Sequence, residues 1–438
     1  MKASLSAQLG PTFVLGKPLT LQQSTCNPGS IECFSPLQLY TSLTNPKQAA
    51  GLRLPGQAWP VKGVSGRSWQ RRHFEGLNKR LCLSRVEALD NPERTPDIST
   101  VFQTVPDLVA YICQGPLLSK VGANQRSVTE GLSSWVDLGV KVCTDLGFDP
   151  AALDEAQKSR IFHYYLPTFF WCRAQLEQHR QRHEAPDGAS PPPLVIGISA
   201  PQGCGKSTIV EELTSLFEYV GSHCAGISLD DFYLTAVDQS RMAEFYEGNK
   251  LLQFRGNAGS HDMEFGRQSI ETLLKLTERG STAKVPRYDK SANQGRGDRA
   301  DPATWPEVKG PLEVILFEGW MLGFRPVPTQ QVADVDQQLI PVNAFLEHYA
   351  ETFDTLVGAW VVIQVADPRW VFKWRLQAEH AMRAKGKTGM TDEQIEDFCA
   401  RFQPAYKAYL PGLYKDGPPG AKPEATLQIR IDESRNVH

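Results

Sequence analysis

The hydrophobic pattern divides the chain into two regions. From about Glu75 to His183, apolar residues recur at the three- and four-residue spacing of helices, as in Val105–Cys113 and Ile161–Leu176. The second of these stretches is apolar on nearly every side. It contains Pro167, which predicts one kinked helix or two short ones in a buried position. We therefore predict a helical N-terminal region over 75–183.

A proline-rich linker over 184–193 separates this region from a different pattern. Beyond it, short apolar runs alternate with amphipathic stretches, as in a parallel sheet covered by helices on both faces. The predicted strands are Leu194–Ser199, Cys224–Leu229, Leu312–Phe317, Gly358–Val365 and Thr426–Ile431. We therefore predict an α/β fold with a mostly parallel sheet over 194–438. The polar, glycine-rich segment between Asp238 and Gly310 is expected to form loops over the carboxyl edge of that sheet, where ligands bind.

The first 74 residues differ from the rest in charge. They contain one acidic residue, Glu32, against eight lysines and arginines, with serine and threonine throughout. This bias is typical of an organelle transit peptide, which does not belong to the mature fold. Abundant Ser and Thr, with no arginine before Arg53, favour a plastid over a mitochondrion. The alternative is a disordered basic tail.

Charge and hydropathy argue against two classes of partner. The net charge of −3 gives no basic field that would attract nucleic acid or an acidic membrane surface. The longest strongly apolar stretch, Gly358–Ala366, is far shorter than the roughly 20 residues that cross a bilayer. The nine cysteines include no CxxC pair, so zinc and thioredoxin-type sites have no support.

A glycine-rich turn lies between the first predicted strand and a helical stretch over Ile209–Tyr219, the context of a Walker A motif. Its glycines let backbone N–H groups turn towards an anion, and the helix N-terminus adds a positive dipole end. Lys206 suits the β- and γ-phosphates of ATP, and Ser207 suits Mg²⁺. The motif departs from its usual form at Ala200, where the first glycine normally stands. The predicted phosphate-binding residues are Gly203, Cys204, Gly205, Lys206, Ser207 and Thr208.

Two further predicted strands end in acidic residues. Asp230 and Asp231 follow the second strand, and side-chain alternation points Asp230 at the site if Ile227 and Leu229 face the core. Asp230 is then placed to take the proton of a hydroxyl that attacks the γ-phosphate, whereas Asp231 better suits a helix cap. Glu318 ends an apolar strand in the Walker B position, where it can hold Mg²⁺ directly or through water.

Clustered cations in the polar segment suit an acidic acceptor, because an arginine can grip a carboxylate with two hydrogen bonds. The candidate acceptor-binding residues, in falling order, are Arg287, Tyr288, His261 and Arg299. The alternatives are a solvated charged loop for any single arginine and a structural, hydrogen-bonded role for His261.

A basic helix is predicted over Trp370–Arg383, after the turn Asp367-Pro-Arg369. Its Arg375 and Arg383 suit a lid that closes over the ATP phosphates and excludes water. The alternative is a solvated basic face.

Several motifs in order resemble a known group of enzymes. The strings GCGKST, SLDDFYLT, YDKS and FEGW resemble the P-loop kinases that include phosphoribulokinase, uridine kinase and pantothenate kinase. Four longer strings resemble the D-glycerate 3-kinases of plants and algae: GNAGSHD at 256–262, PRYDKS at 286–291, GDRAD at 297–301 and FEGWMLGF at 317–324. This resemblance runs from about Phe102 to the C-terminus.

The resemblance implies that the γ-phosphate of ATP passes, with Mg²⁺, to the 3-hydroxyl of D-glycerate. The products are 3-phosphoglycerate and ADP, and the reaction is the closing step of photorespiration. It also implies a monomer in the chloroplast stroma, in agreement with the transit-like N-terminus. By position, Asp230 matches the catalytic base of the DxFY pattern and Glu318 matches the Walker B acid. Cys204 matches a redox-regulated cysteine of phosphoribulokinase, with Cys224 as a candidate partner; an inert thiol is the favoured alternative.

Two rival functions remain open at this stage. The first is a P-loop kinase for another small acceptor: a nucleoside, pantothenate or a sugar phosphate. The second is a regulatory protein that uses ATP as a switch, which has no natural use for an acid beside the P-loop and an arginine-rich acceptor segment. The adenine contacts are unassigned, with Thr426–Ile431 and Asp432–Arg435 as candidates.

Overall fold

The computed structural model of the chain describes residues 101–105, 107–183, 190–384, 386 and 390–438. The predicted transit segment over 1–74 lies outside these residues. So do the first part of the predicted helical region and residues 184–189 of the predicted linker. The predicted domain boundaries therefore stay predictions.

A five-stranded parallel sheet forms the centre of the molecule. Its strands are β1 (Leu194–Ser199), β2 (Cys224–Ser228), β7 (Val314–Gly319), β8 (Ala359–Val365) and β9 (Thr426–Ile431). They lie in the order β2-β7-β1-β8-β9, and every neighbouring pair is parallel. Strands β1, β7 and β8 are buried along their whole length, as expected of a sheet covered on both faces. The five predicted strands and the α/β fold are confirmed; two strands have the predicted bounds and the other three are shifted by one or two residues at one or both ends.

The segment between β2 and β7 differs from its prediction. The part between Asp238 and Gly310 was expected to form loops, but it contains the helix Met263–Leu274 and two short antiparallel pairs. These are β3 (Thr282–Lys284) with β6 (Glu307–Lys309), and β4 (Tyr288–Asp289) with β5 (Asp298–Arg299). Ladders of two or three residues are too short to show the alternation of apolar and polar residues from which strands are predicted.

Helices flank the sheet and form the N-terminal region. They are α1 (Leu108–Cys113), α2 (Gln125–Glu130), α3 (Leu132–Leu146), α4 (Glu155–Ser159), α5 (Leu166–Arg182), α6 (Lys206–Tyr219), α7 (Ala236–Phe245), α8 (Met263–Leu274), α9 (Thr329–Val335), α10 (Leu339–Thr352), α11 (Trp370–Ala384), α12 (Asp392–Ala400) and α13 (Gln403–Asp416). Helix α6 packs on β2 and β7, and α5 packs on β1. No helix in the described parts of the chain combines the length and the apolar character needed to span a membrane.

The N-terminal helices pack directly on the helix that follows the phosphate-binding turn. The ring of Phe169 on α5 meets that of Phe217 on α6 edge-on, with 5.0 Å between centroids. The Lys141 ammonium on α3 donates to the Ser215 hydroxyl on α6 at 2.5 Å. A π-helical turn, Arg160–Tyr165, joins α4 to α5 just before Pro167. The helical path is therefore continuous through the proline, which supports the single-helix alternative.

Candidate active site

The turn after β1 has the backbone geometry of a phosphate cradle. Gly203 and Gly205 adopt φ angles of 77° and 98°, which side chains other than that of glycine rarely tolerate. A Cβ atom on Gly203 would also lie 2.8 Å from the Cβ of Trp374. Helix α6 begins at Lys206, so its free N–H groups face the turn. Ala200 has a φ that any residue can adopt, so the departure from the usual glycine is accommodated.

Two side chains of the turn share one carbonyl acceptor. The Lys206 ammonium donates to the Pro201 carbonyl at 3.2 Å, and the Cys204 thiol donates to the same oxygen at 2.9 Å. Cys204 is buried, and burial raises the pKa of its thiol. A thiol with a raised pKa is mostly protonated near neutral pH and reacts slowly. The structure therefore supports the inert-thiol alternative for Cys204.

The candidate disulfide between Cys204 and Cys224 is ruled out by the sheet. Cys224 and Leu194 both pair in register with Val314, so both lie at the amino end of the sheet. Cys204 lies beyond Ser199, at the carboxyl end. Five residues of strand separate these ends by roughly 16 Å, whereas a disulfide needs Cα atoms about 4.4–6.8 Å apart. The structure thus gives no support to the less favoured alternative of a Cys204–Cys224 pair; the sequence does not show at which end of the sheet each cysteine lies.

We expect mild thiol oxidation to leave the activity unchanged. Incubation with diamide, followed by a comparison with the same sample after dithiothreitol, should alter turnover by less than about twofold, because the thiol is buried with a raised pKa. Peptide mapping by mass spectrometry should find no Cys204–Cys224 link. A reversible loss of activity that Cys204→Ser abolishes would contradict this expectation.

Asp230 and Asp231 have different surroundings, as predicted. Asp231 is buried, and its carboxylate accepts backbone N–H groups of Ser228 at 3.1 Å and Tyr288 at 3.2 Å. Asp230 is partly exposed, and its Oδ2 lies 2.6 Å from the Lys290 ammonium. Burial alone would raise the pKa of Asp230, but this ammonium outweighs it and lowers the pKa to about 2. Asp231 therefore holds the turn together, and Asp230 is an ionised carboxylate that faces the site.

Glu318 lies at the same edge of the sheet as Asp230. It pairs in register with Ser228 on β2, whose hydroxyl hydrogen-bonds to its carboxylate. Burial raises the pKa of Glu318, while the nearby Lys206 favours the ionised form. A buried carboxylate beside the helix that carries the Ser207 hydroxyl is a suitable oxygen donor set for Mg²⁺. Among the described residues no cluster of three His, Cys, Asp or Glu side chains is arranged to hold a metal.

Arg287 and Tyr288 lie beside the two aspartates. The Arg287 guanidinium donates to the Asp231 carboxylate at 3.3 Å and to the Gly226 carbonyl at 3.4 Å. The Tyr288 ring is buried and meets the ring of Tyr233 edge-on at 5.3 Å. Arg287 keeps an exposed fraction of 39% beside the aspartates, and the acceptor-binding role of both residues stays a prediction.

His261 and Arg299 lie deeper in the same segment. His261 is fully buried; its Nδ1 hydrogen-bonds to the Tyr349 hydroxyl at 2.7 Å, and its ring stacks on Tyr233. Burial lowers its pKa to about 3, against the influence of Asp230, so the ring is neutral. Arg299 donates to Asp262 at 3.0 Å and lies 3.9 Å above the ring of Phe265. These contacts give both residues structural partners, which fits the structural alternative for the fully buried His261; their predicted role in acceptor binding stays a prediction.

The two predicted lid residues lie on α11, and the predicted helix is confirmed. Arg375 pairs with the buried Glu379, and Arg383 pairs with Asp392 at 2.5 Å. The N-terminal half of the helix lies against the turn, because Trp374 is next to Gly203, and its indole donates to the Glu433 carbonyl at 2.7 Å. Both arginines thus have acidic partners on α11 and α12, and their role as a lid stays a prediction.

A cavity of about 300 Å³ opens beside the phosphate-binding turn. The N-terminal helical region and the C-terminal segment close it from two sides. Arg435 donates to the Gly203 carbonyl at 2.8 Å and lies 4.9 Å from the centre of the Trp374 ring. The lining residues are Arg160, Tyr164, Tyr165, Gly203, Cys204, Gly205, Thr208 and Arg435. The sequence indicated Arg435 as a candidate, but nothing in it pointed to the π-helical turn.

Two further residues of the site were not identified from the sequence. Tyr233 hydrogen-bonds to Asp230 through its side chain, and Lys290 forms the ion pair with the same carboxylate. Both stand inside the strings SLDDFYLT and YDKS that carry the family resemblance. Their position in those strings was a usable signal, but the contact of Lys290 depends on a fold that brings residues 60 apart together.

Comparisons with known proteins agree with this geometry. Residues 195–344 match the phosphoribulokinase / uridine kinase family. Over 342 residues the chain is 51% identical to the chloroplastic D-glycerate 3-kinase of Arabidopsis thaliana, covering 78% of this chain and 75% of that protein. The chain belongs to the D-glycerate 3-kinase family. The fold-level and family-level predictions from the sequence motifs are thereby confirmed.

Fungal relatives match a smaller part of this chain. The probable ATP-dependent kinase TDA10 of Saccharomyces cerevisiae is 38% identical over 257 residues, which are 56% of this chain and 87% of that protein. The solved structure of a D-glycerate 3-kinase from Cryptococcus neoformans is 33% identical with a TM-score of 0.56. The match covers 62% of this chain and 97% of the Cryptococcus protein. This member of the D-glycerate 3-kinase family therefore carries substantial sequence that those fungal proteins do not match.

Proposed function

We propose that the protein phosphorylates D-glycerate at the 3-hydroxyl with ATP, giving 3-phosphoglycerate and ADP. The observation that carries the proposal is the juxtaposition of a phosphate cradle and an ionised carboxylate. Asp230 faces the same space as Lys206, with which it interacts electrostatically. Membership of the D-glycerate 3-kinase family supports the choice of acceptor.

The phosphates of ATP would bind to the cradle. The N–H groups of the turn and the start of α6 face a bound anion, and the Lys206 ammonium supplies a cation for the β- and γ-phosphates. Mg²⁺ would be held by the Ser207 hydroxyl and the Glu318 carboxylate, where it neutralises charge on the phosphates. Arg375 and Arg383 are the lid residues in this proposal, and they would exclude water during transfer.

The acceptor would lie on the opposite side, against the segment that carries β4 and β5. Arg287 has exposed surface with which to bind the carboxylate of glycerate, with Tyr288 and Arg299 as neighbours. His261 would act on this site by supporting Tyr233, which hydrogen-bonds to Asp230. Asp230 would then accept the proton of the 3-hydroxyl as its oxygen attacks phosphorus.

The adenosine part of ATP would occupy the cavity beside the turn. The aromatic rings of Tyr164 and Tyr165 and the cations of Arg160 and Arg435 line it, and such groups suit a planar base and a nearby phosphate. In this arrangement the N-terminal helical region is part of the nucleotide site, since the two tyrosines and Arg160 belong to its π-helical turn.

We expect Arg435→Ala to raise the KM for ATP by about tenfold, because the variant loses one cation contact to the nucleotide and the hydrogen bond to the turn. The kcat at saturating ATP should fall by less than about threefold, because Arg435 does not reach Asp230. A matched control is Arg430→Ala, which removes an exposed arginine on β9 that bonds to Gln364 instead. Equal KM values for the two variants would contradict the placement of the nucleotide.

The cellular setting follows the family resemblance. We propose that the enzyme works as a monomer in the chloroplast stroma, in the closing step of photorespiration, with 1–74 as the transit peptide. The charge bias of the first 74 residues supports import, and the relative in Arabidopsis thaliana is named as chloroplastic. Size-exclusion chromatography with light scattering on protein lacking 1–74 tests the monomer, and import into isolated chloroplasts tests the targeting.

An acceptor panel tests the proposed substrate. ADP release is followed with Mg-ATP and, in turn, D-glycerate, L-glycerate, uridine, pantothenate and ribulose 5-phosphate. We expect turnover with D-glycerate alone. Turnover with another compound of the panel would support a kinase activity but contradict D-glycerate as the acceptor. Slow ATP hydrolysis that no acceptor stimulates would favour the switch protein.

A further inference from the structure

We propose that Lys290 is a second catalytic lysine, whose ammonium binds the phosphoryl group as it passes from ATP to the acceptor. This inference rests on the proposed phosphoryl transfer. In the step itself, the bond from phosphorus to the oxygen bridging to ADP breaks, and a bond from phosphorus to the acceptor oxygen forms. The hydroxyl proton passes to Asp230, and Lys290 stays protonated throughout.

The first support for the inference is the position of the Lys290 ammonium near the two carboxylates of the site. Its Nζ atom lies 2.6 Å from Oδ2 of Asp230. It also interacts electrostatically with Glu318. Lys206 interacts with the same two carboxylates from the side of the cradle. Two ammonium groups therefore border the space between the proposed base and the proposed metal-binding acid.

The backbone around Lys290 is held while its side chain is exposed. The Arg255 guanidinium donates to the carbonyls of Gly295 at 2.9 Å and Lys290 at 3.3 Å. On the other side, the Ser291 N–H donates to Asp289 at 2.8 Å. The Lys290 side chain itself is 60% exposed. A flexible four-carbon chain on a fixed backbone can move its ammonium from a carboxylate to a phosphoryl oxygen nearby.

Two other cations of this segment, Arg287 and Arg299, have partners that also serve the fold. Arg287 pairs with Asp231, which accepts backbone N–H groups of its turn, and Arg299 pairs with Asp262, which caps the N-terminus of α8. The partner of Lys290 is instead the proposed catalytic base. The Lys290 side chain is mostly exposed while Asp230 is only a quarter exposed, so the pair lies at the rim of the site and not in the interior of the fold.

The chemistry of transfer needs a cation at this position. Negative charge spreads over the three equatorial oxygens of the transferred group, and enzymes stabilise it mainly by preorganised positive charge. The cradle and Lys206 approach these oxygens from the side of the nucleotide. Lys290 approaches from the side of the acceptor, next to the carboxylate that takes the proton.

The test compares Lys290→Ala with Lys284→Ala, which removes an exposed lysine of β3 that bonds to the Pro302 carbonyl. We expect Lys290→Ala to lower kcat about 10²- to 10³-fold, with the KM for ATP changed by less than about threefold. Lys284→Ala should keep kcat within twofold of the wild type. Both variants should bind ADP like the wild type, because neither residue belongs to the cradle. A kcat of Lys290→Ala within threefold of the wild type would overturn the inference.

A double mutant separates a catalytic role from the positioning of Asp230. If Lys290 binds the phosphoryl group, Lys290→Ala lowers the residual transfer rate of Asp230→Asn by a further factor of about ten or more. If Lys290 only orients Asp230, the double mutant is as active as Asp230→Asn, and the inference fails. Should the wild type use an acceptor other than D-glycerate, the proposed substrate fails and the same comparison is made with that acceptor.

Discussion

Asp230→Asn lowers kcat by about 10³-fold or more, because general-base assistance typically contributes factors of 10² to 10⁴. The asparagine has the shape of the aspartate and can accept a hydrogen bond from Lys290, so the site should keep its geometry. It cannot take the proton of the attacking hydroxyl. The KM for ATP should change by less than about threefold, since the phosphates bind on the side of the cradle. Steady-state kinetics with the coupled ADP assay measure both values.

The neighbouring carboxylate gives the matched control for this prediction. Asp231→Asn replaces one of the two carboxylate oxygens, which accept the backbone N–H groups of Ser228 and Tyr288, with an NH₂ group that cannot accept, and it removes the charge that pairs with Arg287. We expect it to lower the free energy of unfolding by about 1–3 kcal/mol, the cost of disturbing a buried charged acceptor, with kcat reduced much less than in Asp230→Asn. A variant Asp230→Asn that stays active, beside an inactive Asp231→Asn that remains folded, would reverse the two assignments.

Lys206→Met should have the second largest effect on activity. The methionine keeps much of the length and apolar surface of the lysine but removes the cation that faces the β- and γ-phosphates. We expect kcat to fall about 10²- to 10³-fold and the affinity for ATP to fall as well, because the charge acts on both the bound and the transferring phosphate. Kinetics together with titration by a fluorescent ATP analogue separate the two effects.

A comparison with adenosine sharpens this second prediction. Loss of Lys206 should weaken the binding of ATP and leave adenosine binding unchanged, because the proposed base site lies in the cavity lined by Tyr164, Tyr165 and Arg435. A Lys206→Met enzyme with kcat and ATP affinity within fivefold of the wild type would show that the turn does not hold the phosphates.

The sequence was sufficient to predict the parts of the site that depend on short, local patterns. The central strands are continuous apolar runs, and the cradle needs glycines followed directly by a helix. Asp230 and Asp231 could be distinguished because adjacent side chains at a strand end point in opposite directions. Ile227 and Leu229 are indeed buried, while Ser228 and Asp230 are partly exposed.

What could not be predicted depends on contacts between distant residues. Arg287 contacts Asp231 although 56 positions separate them in the sequence, and Lys290 contacts Asp230 at a separation of 60. From the sequence, each is one cation among several in a polar segment. The sequence also left open whether Cys204 and Cys224 could pair, because proximity in sequence does not give the end of the sheet at which a residue lies. The contribution of the π-helical turn to the cavity likewise appears only once α5 packs on α6.

The most direct test of the proposed reaction is the identity of its product. Protein lacking residues 1–74 is incubated with Mg-ATP and D-glycerate, and the mixture is followed by ³¹P NMR. The expected result is one phosphate monoester, 3-phosphoglycerate, formed in equal amount to ADP by the wild type and not by Asp230→Asn. Inorganic phosphate in place of the ester, or phosphate on the 2-hydroxyl, would contradict the proposed function.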